Sequence, residues 1–78
     1  MPTSQDILKT IAEHLALNPE DLDRQALLKE ELGLGPIELN DLLISLSKKF
    51  NVSFVGEDVE GLKKVDDLIS LVEDNLLD

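Results

Sequence analysis

The sequence predicts an all-α protein, a four-helix bundle with three longer helices, one short helix and a long first loop, in a single domain spanning residues 1–78. Three observations support this prediction. Apolar residues recur at helical spacing in three segments, and glycine or proline separates those segments. The only alternating stretch, residues 51–55, is too short and isolated to build a sheet. A chain of 78 residues has room for one domain.

The first helix is predicted over residues 4–16. Thr3 or Ser4 can cap it, and Asp6 lies in its first turn, where the helix dipole favours a negative charge. Its apolar face carries Ile7, Leu8, Ile11, Ala12 and Leu15. Pro19 disfavours helical geometry in the residue before it, so we expect the helix to end there.

A long first loop follows over residues 17–35. It contains more leucine than a free polar linker would, namely Leu22, Leu27, Leu28, Leu32 and Leu34. We therefore expect these side chains to pin the loop onto the core. Gly35 and Pro36 then suit the cap and the first position of a second helix, because the missing N–H of proline costs nothing at that position.

The second helix is predicted over residues 36–49. At 100° per residue one face carries the residues expected to pack inward, Leu39, Leu42, Leu43, Leu46 and Phe50. Ile37 and Ile44 fall on the opposite side, beside Asn40 and Asp41. Two isoleucines on an outward face can be scattered surface residues or part of a docking surface for another protein.

The C-terminal part of the chain predicts a short helix and a last longer one. Residues 56–61 form a single helical turn with acidic residues at its start. The last helix covers residues 65–76, and Lys64 is a poor cap for it. Its inward face carries Val65, Leu68, Ile69, Val72 and Leu76. These segments complete the four-helix bundle.

The composition excludes several classes of function. Seven basic residues against 17 acidic ones give a net charge of −10, which repels phosphate backbones and anionic lipid surfaces. We therefore expect neither nucleic-acid binding nor membrane insertion, and no apolar run approaches the roughly 18 residues of a membrane span. The N-terminus lacks the basic and apolar regions of a signal peptide, so we expect a cytoplasmic protein. We also expect the protein to be a monomer.

The chain offers few groups for catalysis or metal binding. It has no cysteine, and His14 has no second histidine to share a metal ion. The acidic residues Glu57, Asp58 and Glu60 lack the ligand spacing of a calcium loop. No nucleophile is expected to pair with a base. The sequence therefore predicts no catalytic residues, no metal site and no enzyme activity.

The segment from Glu31 to Leu42 reads Glu-Leu-Gly-Leu-Gly-Pro-Ile-Glu-Leu-Asn-Asp-Leu. It resembles the Asp-Leu-Gly-x-Asp-Ser-Leu segment of acyl carrier proteins and the helix that follows it, without a gap. The similarity continues through Leu46, Phe50, Val59, Val65 and Ile69. This resemblance implies a four-helix bundle of acyl carrier protein type. In that family phosphopantetheine is esterified to the motif serine and holds acyl groups on its thiol, and the acidic second helix docks on basic patches of partner enzymes.

Two departures from the family pattern bear on function. Gly35 stands in place of the family's aspartate and Pro36 in place of its modified serine. Proline has no hydroxyl, so we expect neither a phosphopantetheine attachment site nor that cofactor. In the second helix Glu38 and Asp41 are balanced by Lys48 and Lys49, so the acidic surplus lies elsewhere in the chain.

The sequence therefore favours a protein–protein interaction module related to fatty-acid or polyketide synthesis, whose second helix docks on an enzyme or assembly factor with a basic or mixed patch. The residues expected to dock are Ile37, Glu38, Asn40, Asp41 and Ile44. Two alternatives remain open. The chain is a genuine carrier, using another serine or derived from a parent with the motif serine, or it binds a free acyl chain between its helices.

Overall fold

The computed structural model of the protein describes residues 2–76. It contains four α-helices, α1 over Ser4–His14, α2 over Pro36–Phe50, α3 over Gly56–Glu60 and α4 over Val65–Leu76, with a 3-10 turn at Pro19–Asp21. The predicted all-α fold, with three longer helices and one short one, is confirmed. Within residues 2–76 no strand forms, and Leu27 and Lys64 make one isolated antiparallel bridge.

The first helix begins at the predicted cap and ends two residues early. The Thr3 hydroxyl accepts a hydrogen bond from the Asp6 N–H at 3.2 Å, and the Asp6 carboxylate accepts one from the Thr3 N–H at 2.9 Å. At the other end Ala16 adopts a left-handed conformation with φ of 60°. The Leu17 N–H then donates to the Ala12 carbonyl at 2.9 Å, a Schellman ending. The sequence gives no signal for this helix end, because the left-handed residue is an alanine and not the glycine that usually marks such a position.

The core lies between the three longer helices, and α1 contacts both α2 and α4. The apolar faces predicted from the spacing are the ones buried, with Leu15, Leu39, Phe50 and Leu76 partly covered at the edges. Eight large side chains are completely buried, namely Ile7, Ile11, Leu42, Leu46, Val65, Leu68, Ile69 and Val72. Helical periodicity therefore predicted the interior correctly.

The first loop is pinned to the bundle by four of the five leucines predicted to do so, and Leu27, half-buried, is not part of the core. Its buried leucines are Leu22, Leu28 and Leu34. Backbone hydrogen bonds tie the loop to the start of α4, since the Leu28 N–H donates to the Lys63 carbonyl at 2.8 Å. The Arg24 guanidinium also pairs with Asp66, with Nε 2.9 Å from Oδ1. These contacts fix the loop, residues 17–35, against α4 before the chain enters α2.

The start of α4 is capped from within the helix. Lys64 cannot cap it, as expected, but Oδ2 of Asp67 accepts hydrogen bonds from the Lys63 N–H at 2.9 Å and the Lys64 N–H at 3.0 Å. These backbone donors, first that of Lys64 and then that of Lys63, hold the pKa of Asp67 below its ordinary value of 3.8. The carboxylate thus satisfies amide groups that the helix leaves free.

Asp67→Ala is expected to lower the free energy of unfolding by about 1 kcal/mol at neutral pH, because two backbone donors lose their acceptor. A lowered folded-state pKa makes this contribution present above the ordinary aspartate pKa and lost as pH falls through the folded value. Urea unfolding of both chains across this acidic range measures the difference. Asp74→Ala removes an exposed acid of the same helix and is the control. A deficit that stays constant down to the lowest pH would contradict the capping role.

Candidate functional site

The start of α2 is formed by Gly35 and Pro36 and is held by two hydrogen bonds of the Gly35 backbone. Gly35 precedes the helix in an extended conformation, and Pro36 is the first helical residue. The Gly35 carbonyl accepts the first helical hydrogen bond, from the Leu39 N–H at 2.9 Å. The Gly35 N–H donates to Oε1 of Glu38 at 2.8 Å. The predicted cap and first position are therefore occupied as the sequence indicated.

Glu38 makes a structural contact in addition to the docking role expected of it. Its carboxylate folds back onto the Gly35 amide as a capping group. A Cβ at position 35 would lie 2.7 Å from Glu38 Oε1, so a larger residue there would displace this side chain. The signal for this contact is present in the sequence, since a glutamate three residues after a cap commonly reaches back to it.

The start of α2 does not fit a phosphopantetheine ester. Gly35, Pro36 and Ile37 carry no hydroxyl oxygen. Ser45 and Ser47 lie inside α2, and the Ser47 hydroxyl donates to the Val52 carbonyl. The other serines lie outside this helix. The Ser4 hydroxyl donates to Glu73 at 2.8 Å, and Ser53 and Ser70 are exposed on the loop after α2 and on α4.

The outward face of α2 carries alternating apolar and charged residues. Ile37 is 73% exposed and Ile44 is 45% exposed, as the helical spacing predicted. Asp41 and Lys48 are also exposed. At 3.6 residues per turn these four residues fall on one side of the helix. We call Ile37, Asp41, Ile44 and Lys48 the outer stripe of α2.

Two exposed residues on or beside the outer stripe, Lys48 and Val55, were not among those predicted to dock. Lys48 lies four residues after Ile44, and the same periodicity that exposes the isoleucines places it on this face. Val55, 60% exposed, joins Ile44 along a shallow groove of about 390 Å³ between α2 and the start of α3. Asn40 lines this groove as well. No sequence signal indicates the position of Val55, because the loop before α3 has no helical period.

A second depression, an open cleft of about 700 Å³, lies beside Pro36. Its apolar walls come from the first loop, α2 and the region of α3, namely Leu27, Leu28, Leu34, Leu39, Val59 and Leu62. Lys29 and Lys63 lie at its border together with Glu30 and Glu60. The cleft is thus mainly apolar, with two basic and two acidic residues among those that line it.

The expectation that no nucleophile pairs with a base was wrong, because the structure places a serine hydroxyl against a histidine ring. His14 Nδ1 lies 3.1 Å from the Ser45 hydroxyl, so the last turn of α1 contacts α2 through a polar pair. Sequence spacing cannot show this contact, because the two residues are 31 positions apart. Ser45 lies in the interior of α2, where backbone N–H groups are used in the helix, so no amide pair is available to stabilise an oxyanion.

The part of the chain that the structure describes offers no metal site and no membrane span. Residues 2–76 contain no cluster of three or more histidine, cysteine, aspartate or glutamate side chains able to hold a metal ion. Over the same residues, no helix combines the length and the apolar character needed to cross a bilayer. The distinctive features of this surface are therefore the start of α2, its outer stripe and the adjacent cleft.

Fold and site together define a small helical bundle whose second helix is exposed at its start and along its outer face. Comparison with known proteins agrees. The chain is 30% identical over 77 residues to an acyl carrier protein of Helicobacter pylori, covering 99% of both chains. It is 29% identical over 75 residues to one from Wolinella succinogenes, covering 96% of this chain and 99% of that one. No family model matches.

A solved structure shows the same architecture. The crystal structure of an acyl carrier protein from Thermotoga maritima superposes with a TM-score of 0.73 and 27% sequence identity, covering 90% of this chain and 81% of that one. The chain belongs to the acyl carrier protein family. The resemblance noted in the sequence is thereby confirmed.

Proposed function

We propose that this chain is a member of the acyl carrier protein family that docks on a protein partner through the outer face of α2 and carries no phosphopantetheine. The partner is an enzyme or assembly factor of fatty-acid or polyketide synthesis, with a basic or mixed docking patch. The chain acts in the cytoplasm, docks as a monomer and is not itself an enzyme. The proposed docking residues are Ile37, Glu38, Asn40, Asp41 and Ile44, and Glu38 also caps the helix.

The observation that carries this proposal is the pairing of Pro36 with an exposed apolar face on the same helix. The Pro36 side chain has no hydroxyl to form a phosphodiester, so the first residue of α2 cannot hold a prosthetic arm. Ile37 and Ile44 nevertheless stay exposed at 73% and 45%. Covering exposed isoleucines with another protein removes apolar surface from water, which favours association.

The charge of α2 indicates what kind of patch would match it. Asp41 and Lys48 have opposite signs, Asp41 between the two isoleucines of the outer stripe and Lys48 at its C-terminal end. A basic patch can pair with Asp41, and a mixed patch can pair with both Asp41 and Lys48. The docking patch of this partner can therefore include acidic residues, unlike the basic patches on which the acidic second helices of the family dock.

Ile44→Asp is expected to abolish capture of the partner, because it places a carboxylate in the centre of the docking face. The measurement is affinity capture by the full chain from a lysate of cells that produce it, with captured proteins identified by mass spectrometry. Leu17→Asp is a matched control, since Leu17 is 40% exposed and lies after α1, outside α2. Capture by Ile44→Asp equal to that of the unaltered chain would contradict docking through this face.

The apolar cleft beside Pro36 favours a second candidate function, non-covalent binding of an acyl chain. Most of its walls are apolar, and Lys29 and Lys63 among its lining residues can pair with a carboxylate head group, although Glu30 and Glu60 line it too. Native mass spectrometry of the chain with a long-chain fatty acid is expected to show a one-to-one adduct if this function exists. Leu39→Lys, which places a charge in the wall, should remove that adduct. Absence of any adduct with the unaltered chain would eliminate this candidate.

A further inference from the structure

We propose that the outer stripe of α2 pairs in antiparallel orientation with the same stripe of a second copy of this chain, so that the free protein covers its own docking face. The proposal uses the surface assigned to docking above but does not depend on docking. It replaces the expectation of a monomer for the free chain, while the monomer is the form that docks.

The spacing of the outer stripe is that of a helix–helix seam. Ile37, Asp41, Ile44 and Lys48 follow one another at intervals of four, three and four residues. This alternation keeps one side of a helix facing a neighbouring helix over several turns. The inward face of α2, by contrast, is already covered by the core, with Leu42, Leu43 and Leu46 buried. The stripe is therefore the remaining seam of α2.

The charges of the stripe complement themselves when one copy is reversed. Asp41 lies three residues before Ile44 and Lys48 four residues after it, which is about 4.5 Å and about 6 Å along the helix axis. With Ile44 of one copy opposite Ile44 of the other, Asp41 of each copy faces Lys48 of the other. A two-fold axis thus produces two identical ion pairs on either side of an apolar contact. In a parallel arrangement the like charges would instead face each other.

The overall charge of the chain also favours this face. Two copies, each with a charge of −10, repel each other. Over residues 36–50 the two acidic and two basic residues cancel, so α2 itself adds no net charge to this repulsion. The carboxylate of Glu38 contacts the Gly35 amide within its own chain. Association through α2 is therefore opposed least by the acidic surplus.

The apolar area in this seam is small, so the dimer should be weak and should exchange with monomers. With Ile44 at the two-fold axis, Ile37 of each copy lies opposite position 51, just past the end of α2 in the other copy. Ile44 therefore supplies the apolar centre, and the seam falls short of a standard interface of about 800 Å² per partner. Val55, 60% exposed on the α3 side of Ile44, extends the apolar contact. A weak dimer suits a face that has to open for another protein.

The test is sedimentation of the full chain at near-physiological salt over a range of concentrations. The weight-average mass of the unaltered chain is expected to rise from the monomer toward the dimer. Asp41→Lys and Lys48→Asp should each stay monomeric, because every cross-pair then joins like charges. An equimolar mixture of the two variants should regain the dimer, since both cross-pairs are again of opposite sign. Circular dichroism checks that both variants remain folded.

Three results would each overturn the proposal. One is a monomer mass for the unaltered chain at every concentration. Another is a dimer that both single variants retain, which would place the contact on another face. The third is failure of the mixture of folded variants to regain the dimer. None of these results affects docking on a partner, which the capture experiment with Ile44→Asp measures separately.

Discussion

Gly35→Asp with Pro36→Ser is expected to convert the chain from a protein that is not modified into one that accepts phosphopantetheine. Incubation with a promiscuous phosphopantetheinyl transferase and coenzyme A should add one phosphopantetheinyl group to nearly every molecule of the double variant. The physical reason is that serine supplies the hydroxyl oxygen that proline lacks. The variant also acquires the Asp-Ser pair of the family motif, with Ile37 in place of the following leucine.

The geometry at the start of α2 accommodates both substitutions. Position 35 has φ of −81° and is extended, so any residue can adopt it. A side chain there would displace Oε1 of Glu38, which lies 2.7 Å from the position of a Cβ. Aspartate compensates for this, because it is among the preferred residues at a helix cap. Helix α2 should therefore form normally in the double variant.

Gly35→Asp alone is the matched control for this experiment. It changes the charge and the cap as the double variant does but leaves Pro36 without a hydroxyl, so its intact mass should not change. If the double variant also stays unmodified, the missing hydroxyl is not the sole barrier. Modification of the control would contradict the account more directly, because it would place the group on a serine outside the motif position.

Leu46→Ala is expected to remove a large part of the stability of the fold. Leu46 lies in α2 and is completely buried among the three longer helices. Truncating a buried leucine costs about 2–5 kcal/mol, because apolar contacts are lost and a cavity remains. At roughly 0.05–0.15 kcal/mol per residue, a domain of this size has only about 4–12 kcal/mol of stability. Urea unfolding followed by circular dichroism should show a much lower midpoint.

Ile44→Ala is the control on the same helix. Ile44 is 45% exposed, so its truncation should cost well under half as much as that of Leu46. The pair compares the inward and outward faces of α2, two residues apart in sequence. Equal losses from the two substitutions would mean that the outward face is packed against something in the free protein. A negligible loss from Leu46→Ala would contradict the assigned core.

Most of the fold could be predicted from the sequence because its signals are local and periodic. The inward leucines of α2 repeat at helical spacing, and proline at position 36 marks the start of that helix. The leucine content of the first loop likewise predicts its burial, since a free linker would be polar. These signals agree with one another, and such agreement is typical of a sequence that specifies one fold.

The features that could not be predicted depend on contacts between distant segments or on backbone reversal. The pair of His14 and Ser45 forms only once α1 lies against α2. The end of α1 depends on the left-handed conformation of Ala16, which alanine rarely adopts. The exposure of Val55 depends on how the loop enters α3. Periodicity contains no information on any of these three features.

The most direct test of the central claim is the intact mass of the natural chain. The protein is purified from cells that produce it and weighed before and after incubation with a phosphopantetheinyl transferase and coenzyme A. Loss of the attachment oxygen at Pro36 predicts the mass of the bare polypeptide in both measurements. A mass increase equal to one phosphopantetheinyl group, in either measurement, would show that the chain is a carrier and would contradict the account.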